Sequence, residues 1–70
     1  MPEHIVNTVH KYRNLQGLTQ EELAQKVSVS RQTIIAIEKG NYTPSVFLAL
    51  KIAQVFKEPI EHIFHISYAK

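Results

Sequence analysis

The 70-residue chain contains no cysteine, so no disulfide can staple it and no thiolate can act as nucleophile or metal ligand. It has two glycines, too few for a glycine-rich loop that cradles phosphate. No stretch is long and apolar enough to cross a membrane. The opening residues, MPEHIVNTVHKYR, carry Glu, His and Asn where a signal peptide needs an uninterrupted apolar run, so a cytoplasmic location is expected. Charge of one sign is also scarce: eight Lys/Arg face six Asp/Glu, a balance of +2 that permits a polyanionic partner without demanding one. No nucleophile elbow, phosphate loop or paired acid/base spacing occurs, and an enzyme is not expected.

What the chain does have is an apolar fraction of 44%, ordinary for a folded domain and too rich for disorder. Its length suits a single domain, expected to span residues 1–70, with residues 65–70 as a tail serving as strand or dimer contact. A chain this short buries only about 60% of its unfolded surface, so it relies on tight helix packing or on oligomerisation.

Helical periodicity organises most of it. Ile5, Val9 and Tyr12 recur at i, i+4 and i+7, which predicts a first helix over residues 5–15, stopped by Gly17. Thr19 with Glu22 three residues on is a capping box, opening a second helix that buries Leu23, Ala24 and Val27. Ser30 caps a third, whose Ile34 and Ile37 face inward and which Gly40 closes. After the loop NYTPS, Ser45 caps a fourth, VFLALKIAQVF, broken at Glu58-Pro59; PIEHIF then makes one short helical turn. Phe64, Ile66 and Tyr68 alternate with His65 and Ser67 at a strand period. The expected fold is an all-α, five-helix orthogonal bundle, with allowance for a short terminal β-strand pair.

Helices two and three, joined by a tight turn, have the layout of a helix-turn-helix unit. Such a unit lays its second helix in the DNA major groove, which is about 12 Å wide and admits one helix. Arg31, Gln32 and Thr33 occupy the entering end, and Ala36 lies one turn beyond, small enough for close approach. Arginine can pair with guanine O6 and N7 and glutamine with adenine N6 and N7, while threonine can bond a base or phosphate or offer its methyl to thymine. Alone, three polar residues in a first turn are more often a solvated helix start; the surrounding pattern reverses that weighting.

The set TQEELA, VSRQTI, IEKG, PS…ALKIA and IF resembles the Cro/C1-type helix-turn-helix domains of phage repressors and small bacterial regulators, over roughly residues 9–64. The resemblance implies a lambda-repressor-like bundle that binds double-stranded DNA as a transcriptional regulator, a homodimeric repressor reading a palindromic operator through the major groove. By position it implies base contacts from Arg31, Gln32, Thr33 and Ala36. It implies DNA backbone contacts from Gln20, Lys39, Asn41 and Tyr42, and a largely buried ion pair between Arg13 and Glu38. For Lys39 a solvated lysine at a helix C-terminus is a nearly equal reading. No cofactor and no small-molecule ligand are implied. Three residues depart from the family pattern. Ser28 stands where the turn often has glycine, and so either avoids the glycine conformation or carries strain. Ile35 stands where a polar residue is common, and Ala36 offers no hydrogen bond.

Phe47, Leu50 and Val55 make the fourth helix more apolar than one face needs. With Ile60, Ile63, Phe64, Ile66 and Tyr68 they are assigned to a dimer surface, against the plainer reading that a small core uses them all. His62 and His65 sit at i, i+3, but no cysteine or carboxylate pattern supports a metal site, and none is expected. His4 and His10 are expected to face solvent. The rival function is an antitoxin-like or adaptor module whose main partner is another protein. Arg31-Gln32-Thr33, with no segment expected beyond the bundle to neutralise a toxin, favours DNA.

Overall fold

Three hydroxyl side chains set where the longer helices begin. The computed structural model, which describes residues 3–68, runs β1 (Glu3–Asn7), α1 (Val9–Leu15), α2 (Gln20–Lys26), α3 (Arg31–Glu38), α4 (Val46–Phe56), α5 (Ile60–Ile63) and β2 (Phe64–Tyr68). At α2 the Thr19 hydroxyl accepts from the Glu22 amide at 3.0 Å while the Glu22 carboxylate accepts from the Thr19 amide at 2.8 Å, a complete capping box. Ser30 accepts from the Thr33 amide at 3.2 Å and Ser45 from the Leu48 amide at 3.1 Å. Each satisfies an amide that the helix leaves unpaired, worth about 1 kcal/mol.

The helix ends are as well defined as the starts. After α1, the Gly17 amide bonds Asn14 O and the Leu18 amide bonds Arg13 O, both at 3.0 Å. The same paired bonds close α2 through Ser28 and Val29, α3 through Gly40 and Asn41, and α4 through Lys57 and Glu58. This is the Schellman arrangement, and it needs a left-handed residue at its centre. Gly17 and Gly40 supply it without strain at φ 69° and 79°; Ser28 and Lys57 adopt it at φ 63° and 58° despite their side chains. Ser28 therefore takes the glycine conformation rather than avoiding it.

Two sequence expectations give way. Residue 5 is not helical: β1 pairs antiparallel with β2, Ile5 opposite Ile66 and Asn7 opposite Phe64, and α1 begins only at Val9. Asn7 marks the change, its side-chain carbonyl accepting from the Val9 amide at 3.1 Å and its amide donating to Ile37 O at 2.9 Å. The helical spacing of Ile5 to Val9 is coincidental, because Val9 is wholly buried while Ile5 is 40% exposed on the sheet. The fold is thus mostly helical, five helices with the short terminal strand pair for which the sequence left room. Secondly, Ile63 is fully buried inside the protomer and belongs to no surface, dimeric or otherwise.

The reason lies in the core. Val9 of α1, Leu23, Ala24 and Val27 at α2, Ile34 and Ile37 of α3, Leu48, Ile52, Ala53 and Phe56 of α4 and Ile63 of α5 form one cluster. Tyr12 stacks on Phe56 with ring centroids 5.8 Å apart. Each large aliphatic side chain so buried contributes about 1.5–3 kcal/mol, and a domain this small uses every one it can reach. The two chain ends meet because Thr8 donates its amide to Ile63 O at 2.9 Å and its hydroxyl to His62 O at 2.8 Å. No described helix is long and apolar enough to cross a membrane.

Ser28→Gly is expected to raise stability by about 0.5–1 kcal/mol, the left-handed penalty of about 1–2 kcal/mol less glycine's larger loss of entropy. Thermal unfolding followed by circular dichroism reads this as a higher midpoint, by about 4–8 °C per kcal/mol at this chain length. An unchanged or lower midpoint would show that Ser28 is not strained.

Candidate nucleic-acid interface

The first turn of α3 is displayed by the core beneath it. Ile34 and Ile37 are wholly buried, which turns Arg31 and Gln32 outward, and both are exposed. Ser30 holds the turn's geometry through its cap. Thr33 is half-buried, with its hydroxyl 3.1 Å from that of Ser30, so its oxygen is engaged in the cap and its methyl is the freer end. Ile35 and Ala36 are half-buried on the same short helix. Lys39, Asn41 and Tyr42 are all exposed and follow directly on the end of α3.

Gln20, the first residue of α2, is not free. Its side-chain amide donates to Glu38 Oε1 at 3.2 Å, which braces the start of α2 against the end of α3. Glu38 in turn is gripped by Arg13 of α1, whose Nε donates to Oε2 at 2.7 Å and Nη2 to Oε1 at 3.2 Å. The third arm of the guanidinium, Nη1, donates to Leu18 O at 2.9 Å. The two charged side chains are 10% and 7% exposed, so this pair is shielded from water. Three helices thus meet on one carboxylate. Among the described residues no buried side-chain nitrogen or oxygen lacks a partner.

Burial opposes the charge on Glu38. The hydrogen bonds from Arg13 and Gln20 and the Arg13 charge outweigh it, and the carboxyl sits below its ordinary range. The net charge of the Arg13–Glu38 pair is zero, so neither residue adds to the field that an approaching polyanion meets. Arg31 and Lys39, at the two ends of α3, are exposed cations on that face.

Sequence reasoning missed one member of this cluster. His10 is exposed, as expected, but its ring is engaged: Arg13 Nη2 lies 2.9 Å from Nδ1, Glu38 Oε1 lies 3.4 Å from the same atom, and the Asn14 amide meets Nε2 at 3.0 Å. The i, i+3 spacing of His10 and Arg13 was the available signal, because side chains three apart on a helix are neighbours. His62 is held by Glu58, with Nδ1 and Oε1 2.9 Å apart, and no cluster of three metal-ligating side chains occurs among the described residues.

The dimer assignments divide by burial. Phe47, Leu50 and Ile66 are 73%, 46% and 50% exposed, while Ile60, Phe64 and Val55 are half-buried against the core. Val46, beside Phe47 and one turn before Leu50, is exposed as well and was not anticipated. The side chain of Tyr68 lies outside the described part of the structure.

A helix-turn-helix family model matches residues 9–63. An uncharacterised HTH-type transcriptional regulator of Methanocaldococcus jannaschii is 62% identical over 58 residues, 83% of this chain and 88% of that one. The HTH-type transcriptional regulator YgzD of Bacillus subtilis is 48% identical over a stretch with the same coverage, 83% and 88%. Among solved structures, the restriction-modification controller protein C.AhdI of Aeromonas hydrophila superposes with a TM-score of 0.72 at 26% identity, covering 77% of this chain and 82% of its own.

Arg13→Ala is expected to cost about 3–5 kcal/mol, because it strands the buried Glu38 charge. Glu38→Gln tests the same cluster by pH. A carboxyl held below its ordinary value stabilises the fold above its unfolded pKa of about 4.3 and loses that contribution as pH falls through the folded value. The melting-temperature gap between wild type and Glu38→Gln should therefore be widest near neutral pH and shrink below about pH 4.3. A gap that stays constant down to about pH 3 would show that the charge on Glu38 is not what stabilises.

Proposed function

This chain belongs to the Cro/C1-type helix-turn-helix family of DNA-binding transcriptional regulators, and from that premise we propose that it is a dimeric repressor that reads a palindromic operator through the major groove. The observation that carries the reading is the exposed Arg31-Gln32 pair on the first turn of a helix anchored from behind by Ile34 and Ile37. Arg31 and Gln32 are assigned to base edges, Thr33 to a thymine methyl through its free end, and Ala36 to close approach. Gln20, Lys39, Asn41 and Tyr42 are assigned to the DNA backbone, which sets register without reading sequence.

A lone 70-residue protomer covers one half-site. Two-fold pairing would set the recognition helices one helical turn apart, about 34 Å, and give the operator its symmetry. The exposed apolar side chains Val46, Phe47 and Leu50 of α4 and Ile66 of β2, with the half-buried Ile60 and Phe64, are assigned to that pairing. Exposed apolar groups of this size on so small a protein favour a partner. Residues 1–70 act in this reading as one intracellular DNA-binding domain that works by occupancy, without catalysis. Affinity should fall with salt, because cationic side chains that neutralise phosphates, Lys39 among them, release counterions.

Selection of bound sequences from a random duplex pool, at stated salt, is expected to yield a palindrome. Enrichment of no sequence, or only of asymmetric ones, would overturn the dimeric reading. On the selected site, Gln32→Ala is expected to relax preference at one base position by about 1–3 kcal/mol. Gln20→Ala should weaken binding evenly across sequences while leaving the salt slope unchanged, because the side chain carries no charge. Equal losses from both changes on every sequence would remove the division of labour between α2 and α3.

A further inference from the structure

Glu38 Oε1 has three suitors. Arg13 Nη2 and Gln20 Nε2 each lie 3.2 Å away and His10 Nδ1 lies 3.4 Å away. An oxygen of a carboxylate offers two lone pairs, so the state of His10 decides which donors hold. Arg13 Nη2 also lies 2.9 Å from His10 Nδ1, and a guanidinium only donates, so this contact requires Nδ1 to be unprotonated. In that state Nε2 carries the ring's proton and donates to Asn14, which turns its side-chain oxygen toward it, so His10 has no proton to offer Glu38 and Oε1 is left to Arg13 and Gln20.

A proton on Nδ1 changes both contacts. The Arg13–His10 hydrogen bond becomes a meeting of two cations, and Nδ1–H becomes a third donor competing for Oε1. Arg13 is the least able to yield, since Nε holds Oε2 at 2.7 Å and Nη1 holds Leu18 O at 2.9 Å. Gln20 is tied by one described side-chain hydrogen bond, the one to Glu38, and is the donor that leaves.

We infer that His10 is a positioning residue for the DNA interface: by taking up a proton it displaces the Gln20 side chain from Glu38 and weakens its grip on phosphate, so that operator affinity falls as pH falls. The inference rests on the assignment of Gln20 to the DNA backbone in the function proposed above. His10 meets Arg13 and the neutral Asn14 on its own helix and Glu38 from α3, the only carboxylate within 4 Å of its ring among the described residues; α2 brings only the neutral Gln20 to the same carboxylate. On the other side, Glu3 and His4 of β1 line an open groove with Glu38 and Lys39. The decisive comparison is with a variant that lacks only His10.

The test uses the whole chain. In the free protein, the side-chain amide resonance of Gln20 is followed by NMR from about pH 8 to pH 5, the range over which imidazoles change charge. It should track the His10 ring resonance in wild type and stay fixed in His10→Asn; His10→Gln serves if the first variant melts early. Binding to the selected duplex at constant salt should weaken about three- to tenfold more across that range in wild type than in His10→Asn, the size of one hydrogen bond. A Gln20 resonance that ignores the titration of His10, or equal pH profiles for wild type and variant, overturns the inference. Failure to bind any duplex at any pH overturns the function proposed above instead, and the NMR arm still decides whether His10 governs Gln20.

Discussion

The shielded pair between Arg13 and Glu38 is the constraint on which the rest of the structure depends. Taking two charges out of water is costly, and such a pair contributes little to net stability compared with a well-packed apolar replacement. Its value here is orientation. One guanidinium holds both oxygens of Glu38 and the Leu18 carbonyl, and the same carboxylate holds Gln20. The end of α3, the start of α2 and the body of α1 are therefore fixed relative to one another by directional bonds. Apolar packing alone is non-directional. The angle at which α3 is presented, and the place of Gln20 beside it, follow from this cluster.

Around it the helices are short, from 4 to 11 residues, and none that short is stable alone in water. Local signals choose the boundaries and tertiary contacts supply the stability. Hydroxyl caps at Thr19, Ser30 and Ser45 and Schellman closures at Gly17, Ser28, Gly40 and Lys57 leave the connections little freedom. A left-handed Ser28 in the turn before α3 spends some stability to keep that turn tight. The result is an α3 whose exposed first turn is held from both ends: Ser30 in front, Glu38 behind.

Much of this was legible in the chain. The capping box, the Ser caps, the inward Ile34 and Ile37 and the strand period of Phe64 to Tyr68 are local patterns, and local patterns survive in a linear reading. The candidate interface was legible for the same reason, since Arg31, Gln32, Lys39, Asn41 and Tyr42 lie on or beside one short helix. Three features were not. Ile5 carried a helical spacing but joined a strand, because its hydrogen-bonding partner lies at the other end of the chain. Ile63 looked like spare surface because a sequence cannot say which of several apolar residues the core has room for. His10 looked solvated because exposure and engagement are compatible for a ring with two nitrogens.

The sequence by itself determined where α2, α3 and α4 start, which residues of α2 and α3 face inward, and which polar side chains stand at the entering end of α3. These follow from interactions within about four residues, where spacing translates directly into geometry. Only the tertiary structure decided that the two ends of the chain pair as a sheet, that Ile63 closes the core, and that Arg13, His10 and Gln20 converge on a single carboxylate. Those contacts join residues 18 to 65 positions apart in the chain. Their geometry is set by how the helices pack, which no spacing along the chain encodes.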